Sequence, residues 1–143
     1  MTLTFISNSR LKYLKARLGW RGVPTHYMPW AMNSFYEALS VHDAAVIPVE
    51  RNGYTIGKTI NRPATAILAG LGVIADSIDA YEELRPFIAL DDWQGGLRRY
   101  SACPPAGDLL LDAARSHLNL RYSADAVGRQ WHELLQQALA QTA

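Results

Sequence analysis

The 143 residues carry 14 Lys and Arg against 13 Asp and Glu, a formal charge of +1, and 49% apolar content. That composition supports one ordinary hydrophobic core, is short for two domains, and excludes a global attraction to nucleic acid or an anionic membrane. The single cysteine, Cys103, excludes an internal disulfide. Lacking any apolar run of about 18 to 20 residues or a cleavable leader pattern, the sequence reads as a soluble cytoplasmic protein with no transmembrane segment.

In chain order, short runs rich in branched and aromatic residues predict strands over residues 3–6, 26–28, 44–49, 72–75 and 87–90. Helical spacing fills most intervals. Residues 10–18 form the first helix, with Leu11, Leu14 and Leu18 in the pattern of a core-facing stripe and Arg10, Lys12, Lys15, Arg17 and Arg21 between and beyond them. Residues 34–39 follow, with Ser34 and Glu37 as a capping box; residues 63–69 form the next helix, closed by Gly70. Asp79 with Glu82 marks another start, which Pro86 ends. Asp91 is expected to cap a helix to about Tyr100, Asp108 a helix through Leu118, and Ser123 a final helix. Val127, Trp131, Leu134, Leu135 and Ala138 share one face of that last helix, which predicts that it docks on the body. Strands alternating with helices predict an α/β fold: a Rossmann-like three-layer sandwich, its sheet mainly parallel with about five strands, followed by a helical C-terminal tail.

Ligands of such sheets bind at the carboxyl ends of the strands, so the loops there carry the search. The richest is residues 50–62, with Gly53 and Gly57 allowing close backbone approach and Lys58 and Arg62 supplying charge. With Pro63 at the first helical position, Arg62 falls at the N-cap, where arginine offers no acceptor. The free N–H groups of the first turn, flanked by the two cations, then suit phosphate oxygens. The alternative is that Asn61 caps the helix and both cations face solvent. These residues alone leave the two readings open.

The stretch Lys58-Thr59-Ile60-Asn61-Arg62, followed by residues 63–76, resembles the donor-binding segment of glycosyltransferases of the GT-B fold, in its lysine, asparagine, arginine variant. Residues 30–39 and 43–48 are similar to the family's preceding helix and proline-ended strand, and Tyr81-Glu82-Glu83-Leu84 and Trp131-His132-Glu133-Leu134-Leu135 to its C-terminal half. The resemblance implies a nucleotide-sugar substrate with no further cofactor, its diphosphate held by Gly57, Lys58, Thr59, Asn61 and Arg62. Thr65, Pro29 and Trp30 would then lie near the ribose and base. Gly57 and Thr65 occupy the positions of the two glutamates that many members of the broader family carry, so a hydroxyl replaces the ribose-binding carboxylate. The resemblance also implies a fragment of a two-domain enzyme, missing an N-terminal acceptor domain and the first strand and helix of its own sheet, with a homodimer as one way to satisfy open sheet edges.

Other signals point to no chemistry of their own. Gly70-Leu71-Gly72 runs from helix to strand, the reverse of a dinucleotide fingerprint, and reads as a helix cap with close packing. His26, His42, His117 and His132 lack metal-ligand spacing with Cys103, so no metal is expected. Asp91 and Asp92 beside Trp93 read as a helix cap. Neither a catalytic residue nor a nucleic-acid partner is singled out. A noncatalytic nucleotide-binding or interaction domain with a degenerate site is the second functional reading.

Overall fold

A computed structural model describes residues 1–19, 22–102, 105 and 107–141. Trp20, Arg21, Cys103, Pro104 and Ala106 of the sequence reading lie outside the described residues. The chain is α/β, with two parallel sheets and a helical C-terminal region. Strands β1 (Leu3–Ser7) and β2 (Thr25–Pro29) form one sheet, joined through helix α1 (Arg10–Arg17). Helix α2 (Met32–Ser40) leads to the second sheet, of β3 (Ala44–Ile47), β4 (Gly72–Ala75) and β5 (Ala89–Leu90), in that order. Helix α3 (Asn61–Leu68) crosses from β3 to β4 and a 3₁₀ helix (Asp79–Leu84) lies between β4 and β5; α4 (Trp93–Ala102), α5 (Leu109–Tyr122) and α6 (Ala124–Gln141) follow. The five expected strands are present and parallel, but they do not make one sheet: no backbone ladder joins β1 to β3.

The core sits on β4. All four of its residues are buried, and Ile67 of α3, Tyr81 and Leu84 of the 3₁₀ helix and Leu118 of α5 pack in the same layer system. Gly72 is glycine because an added Cβ would stand 2.2 Å from the Tyr100 ring; at Gly96, one would stand 2.7 Å from the Ala89 Cβ. Helix α4 therefore approaches the sheet at backbone distance. Gly70, at φ +95°, closes α3 in a Schellman arrangement, with Leu71 N–H donating to Ala66 O and Gly70 N–H to Ile67 O.

Several element ends depart from the pattern. Strand β3 stops at Ile47 rather than Val49, because Pro48 has no N–H for the ladder and the Val49 N–H donates to the Asp76 carboxylate at 2.8 Å. Only Ala89 and Leu90 pair as β5, since Phe87 and Ile88 N–H groups donate back to Leu84 O. Helix α2 starts at Met32 with no side-chain cap, and the Ser34 hydroxyl donates to the carbonyls of Pro29 and Ala31 instead of making a capping box. Asp92, not Asp91, caps α4 through the Gly95 N–H at 2.9 Å. Asp108 and Ser123 cap α5 and α6 as their positions indicate.

Two apolar stripes lie on the outside. On α1 the buried residue is Tyr13, its ring edge-to-face with Phe5 and tilted against Tyr27, while Leu11 and Leu18 are 64% and 73% exposed. The ring of Tyr13 lies over the two-stranded sheet, while Leu14 and Leu18 line a surface groove with Val23, Pro24 and Thr25. Among the described residues of α6 Ala126 is the buried one, and Trp131, at 62% exposure, is exposed along with Leu134 and Leu135. Ser123, with extended backbone at ψ 156°, separates α5 from α6, and the Gln130 side chain of α6 reaches back to the Arg121 carbonyl of α5.

Candidate functional site

The carboxyl edge of the three-stranded sheet is stitched together by side chains. Asp76, directly after β4, accepts the Val49 N–H and, at 2.7 Å, the Trp93 indole N–H. Asp91, directly after β5, accepts the Ser77 N–H at 2.8 Å and pairs with Arg85. The Arg51 guanidinium donates to the Ser77 carbonyl and hydroxyl. The Ser77 N–H, with Arg85 adding its charge, holds the Asp91 carboxyl below the usual carboxylate range. Asp91 occupies the left-handed region at φ 61°, a conformation aspartate tolerates better than most residues. Sequence reasoning missed this network. Its one legible signal was an aspartate immediately after each of two adjacent strands.

Above that edge, residues 50–60 fold on themselves. The Asn52 side-chain oxygen accepts the N–H groups of Tyr54 and Thr55, each at 3.0 Å, and the buried Thr55 hydroxyl accepts the Asn52 N–H and donates to the Glu50 carbonyl. This local closure adds to the anchoring of Arg51 on the buried Ser77. Gly53 and Gly57 face open space on their side-chain sides, so their backbone can be approached from solvent. The Lys58 ammonium lies 5.1 Å from the Tyr54 ring centre, and Thr59 is exposed.

Helix α3 begins earlier than Pro63 suggests. Ile60 is its N-cap in helical conformation, and the Ala64 N–H makes the first helical bond to Ile60 O at 2.9 Å. Pro63 is thus third in the helix, where its missing N–H costs no intrahelical bond. Arg62 stands within the first turn rather than at the cap, and Asn61 is the first helical residue rather than a capping one. No side chain caps this end among the described residues, so the Asn61 and Arg62 N–H groups carry the positive end of the helix dipole with no acceptor among those residues. Thr65 donates its hydroxyl to the Asn61 carbonyl at 2.7 Å, leaving its oxygen lone pairs for other partners. Arg62 also acts on the buried Tyr81 hydroxyl. Burial raises that group above its usual pKa, the Arg62 charge opposes the rise, and the hydroxyl has no hydrogen-bond partner among the described residues.

Gly57, Lys58, Thr59, Asn61, Arg62 and Thr65 therefore lie on one continuous loop and helix start. Neither Lys58 nor Arg62 has a salt-bridge partner among the described residues. Pro29 and Trp30 lie at the end of β2, in the other sheet; both are exposed, and the Trp30 N–H is held by Ser7 O at 3.1 Å. No hydrogen bond or ring contact ties them to residues 57–65 among the described residues. No family model matches this chain, and neither a curated protein nor a solved structure matches it.

Proposed function

We propose that this chain is the Rossmann-like donor-binding domain of a cytoplasmic glycosyltransferase, holding the diphosphate of a nucleotide sugar at the start of α3. The observation that carries the reading is the uncapped α3 terminus flanked by Lys58 and Arg62, two cations without acidic partners among the described residues, at the carboxyl end of a parallel sheet. An anion there meets free N–H groups, the helix dipole and fixed charge together. The same groups would stabilise charge developing on the leaving diphosphate as the glycosidic bond to it breaks, without a covalent nucleophile. The acceptor and the remaining catalytic groups belong to a second domain, so this chain alone binds donor without turning it over.

A noncatalytic nucleotide-binding domain is the second reading, favoured by Thr65, which brings a hydroxyl already donated to Asn61 and no carboxylate for a ribose. Titration with uridine, guanosine and adenosine diphosphates, with and without sugars, tests both. Donor binding requires slowed amide exchange between Gly53 and Thr65, and Arg62→Ala weakening affinity by about tenfold or more. Equal affinity for the nucleotide with and without its sugar favours the noncatalytic domain. No protection at millimolar ligand rejects the nucleotide site itself.

A further inference from the structure

Charge is spread unevenly along this chain. The net charge is +1, yet Arg10, Lys12, Lys15, Arg17 and Arg21 all precede the first acidic residue, Glu37. The first four belong to α1, where each is exposed and none has an acidic partner among the described residues. The same helix turns Tyr13 to the two-stranded sheet and leaves Leu11, Leu14 and its C-cap Leu18 64%, 47% and 73% exposed.

At about 3.6 residues per turn, the three leucines fall within one arc of about 60°. Arg10 and Arg17 border that arc on one side, Lys15 and Lys12 on the other, and Tyr13 and Ala16 lie away from it. The arc runs on into the surface groove that Leu14 and Leu18 share with Val23 and Pro24, and Arg17 lines the same groove. An apolar strip with cations on both flanks is the form of a helix lying at the boundary of lipid headgroups and acyl chains. Its leucines enter the apolar layer, while lysine and arginine stems carry their charges out to headgroup oxygens. The exposed stripe of α6 is built otherwise. Asp125, Arg129 and Glu133 lie away from Trp131, Leu134 and Leu135, and among the described residues of that helix no lysine or arginine borders the stripe.

We propose that α1 docks this end of the molecule reversibly on an anionic lipid bilayer, through the arc of Leu11, Leu14 and Leu18 and the four cations that border it. The surface is separate from the nucleotide segment, since α1 joins β1 to β2 and that segment follows β3. The leucines select the partner. A nucleic acid would engage the cations through its phosphates and leave the apolar arc in water, whereas an anionic bilayer takes up both. With a net charge of only +1 the attraction is local to α1 and is screened beyond about 8 Å at physiological salt, so a bilayer without anionic lipid holds the chain far less well.

Flotation of the full chain with vesicles of phosphatidylcholine alone, or of phosphatidylcholine and phosphatidylserine in equal parts, tests this. Binding should be about tenfold or more tighter on the mixed vesicles and should fall steeply as salt is added. The double variant Leu11→Ser/Leu18→Ser keeps every cation, and Lys12→Gln/Lys15→Gln keeps every leucine. Each should weaken binding by about tenfold or more, and because all four positions are exposed, each should keep the circular dichroism spectrum of the unaltered chain. Trp131→Ala, on α6, should bind as the unaltered chain does. Bicelles of the mixed lipids carrying a nitroxide-labelled lipid should broaden the methyl signals of Leu11, Leu14 and Leu18 before those of Leu134 and Leu135, a readout that needs no variant. No binding, equal binding to both kinds of vesicle, full binding by the leucine variant or loss with Trp131→Ala would overturn the proposal. So would single-stranded RNA bound more tightly than the mixed vesicles and equally well by the leucine variant, which would assign α1 to nucleic acid instead.

Discussion

The three-stranded half and the two-stranded half of this molecule contain similar residues and reach very different degrees of burial. Around β4, Val73, Ile74 and Ala75 are covered on both faces by α3, α4, α5 and the 3₁₀ helix. Around β1 and β2, a single aromatic cluster of Phe5, Tyr13 and Tyr27 holds one helix to one face. Apolar content does not decide burial; the number of layers available to cover it does.

That contrast is sharpest in substitutions. Ile67→Ala, at a fully buried position in the β4 layer, should cost about 2–5 kcal/mol in urea denaturation. Gly72→Ala should cost about 1–3 kcal/mol by driving a Cβ into Tyr100, and a smaller side chain at Tyr100 should recover part of the loss; additive effects would show that the ring is not the obstacle. In the two-stranded half, Tyr13→Phe removes only the hydroxyl that meets Thr25 at 3.1 Å, and should cost about 1 kcal/mol or less. Leu11→Ala and Leu18→Ala should each stay within about 0.5 kcal/mol of the unaltered chain. A core-sized loss at either leucine would mean that the stripe is covered in solution and would erase the comparison.

Acid provides a further distinction, expected to be small. The folded-state pKa of Asp91 is depressed, first by the Ser77 N–H and then by Arg85, so its stabilising contribution is present above the usual carboxylate range. It is lost as pH falls through the depressed value. Asp91→Asn should flatten the acid limb of a stability profile measured between pH 5 and 2, most visibly in amide exchange at Ser77, while the β1–β2 exchange rates follow their ordinary pH dependence.

The legible part of the fold was local. Gly70 stops α3, Asp108 and Ser123 start α5 and α6, and the strands appear close to where branched residues cluster, because each signal acts within a few residues of itself. The candidate site was legible as a segment: two glycines, two cations and a proline before an apolar helix. Its internal geometry was not. Pro63 reads equally well as the first or third helical residue, since neither position needs its N–H, and only the Ala64 bond to Ile60 decides between them. The Asp76 and Asp91 network joins residues 14 to 27 positions apart, a separation that no short-range pattern encodes.

The sequence by itself determined an alternation of parallel strands and helices, the Gly70 stop of α3 and the caps of α5 and α6, and the gathering of Lys58, Asn61 and Arg62 beside one helix start, since all of these follow from neighbouring residues. Only the tertiary structure decided which apolar faces are covered, which carboxylates are engaged, and that the strands form two sheets instead of one. Periodicity reports that a face exists, as at Leu11, Leu14 and Leu18, but covering it requires a second surface whose position depends on the whole chain.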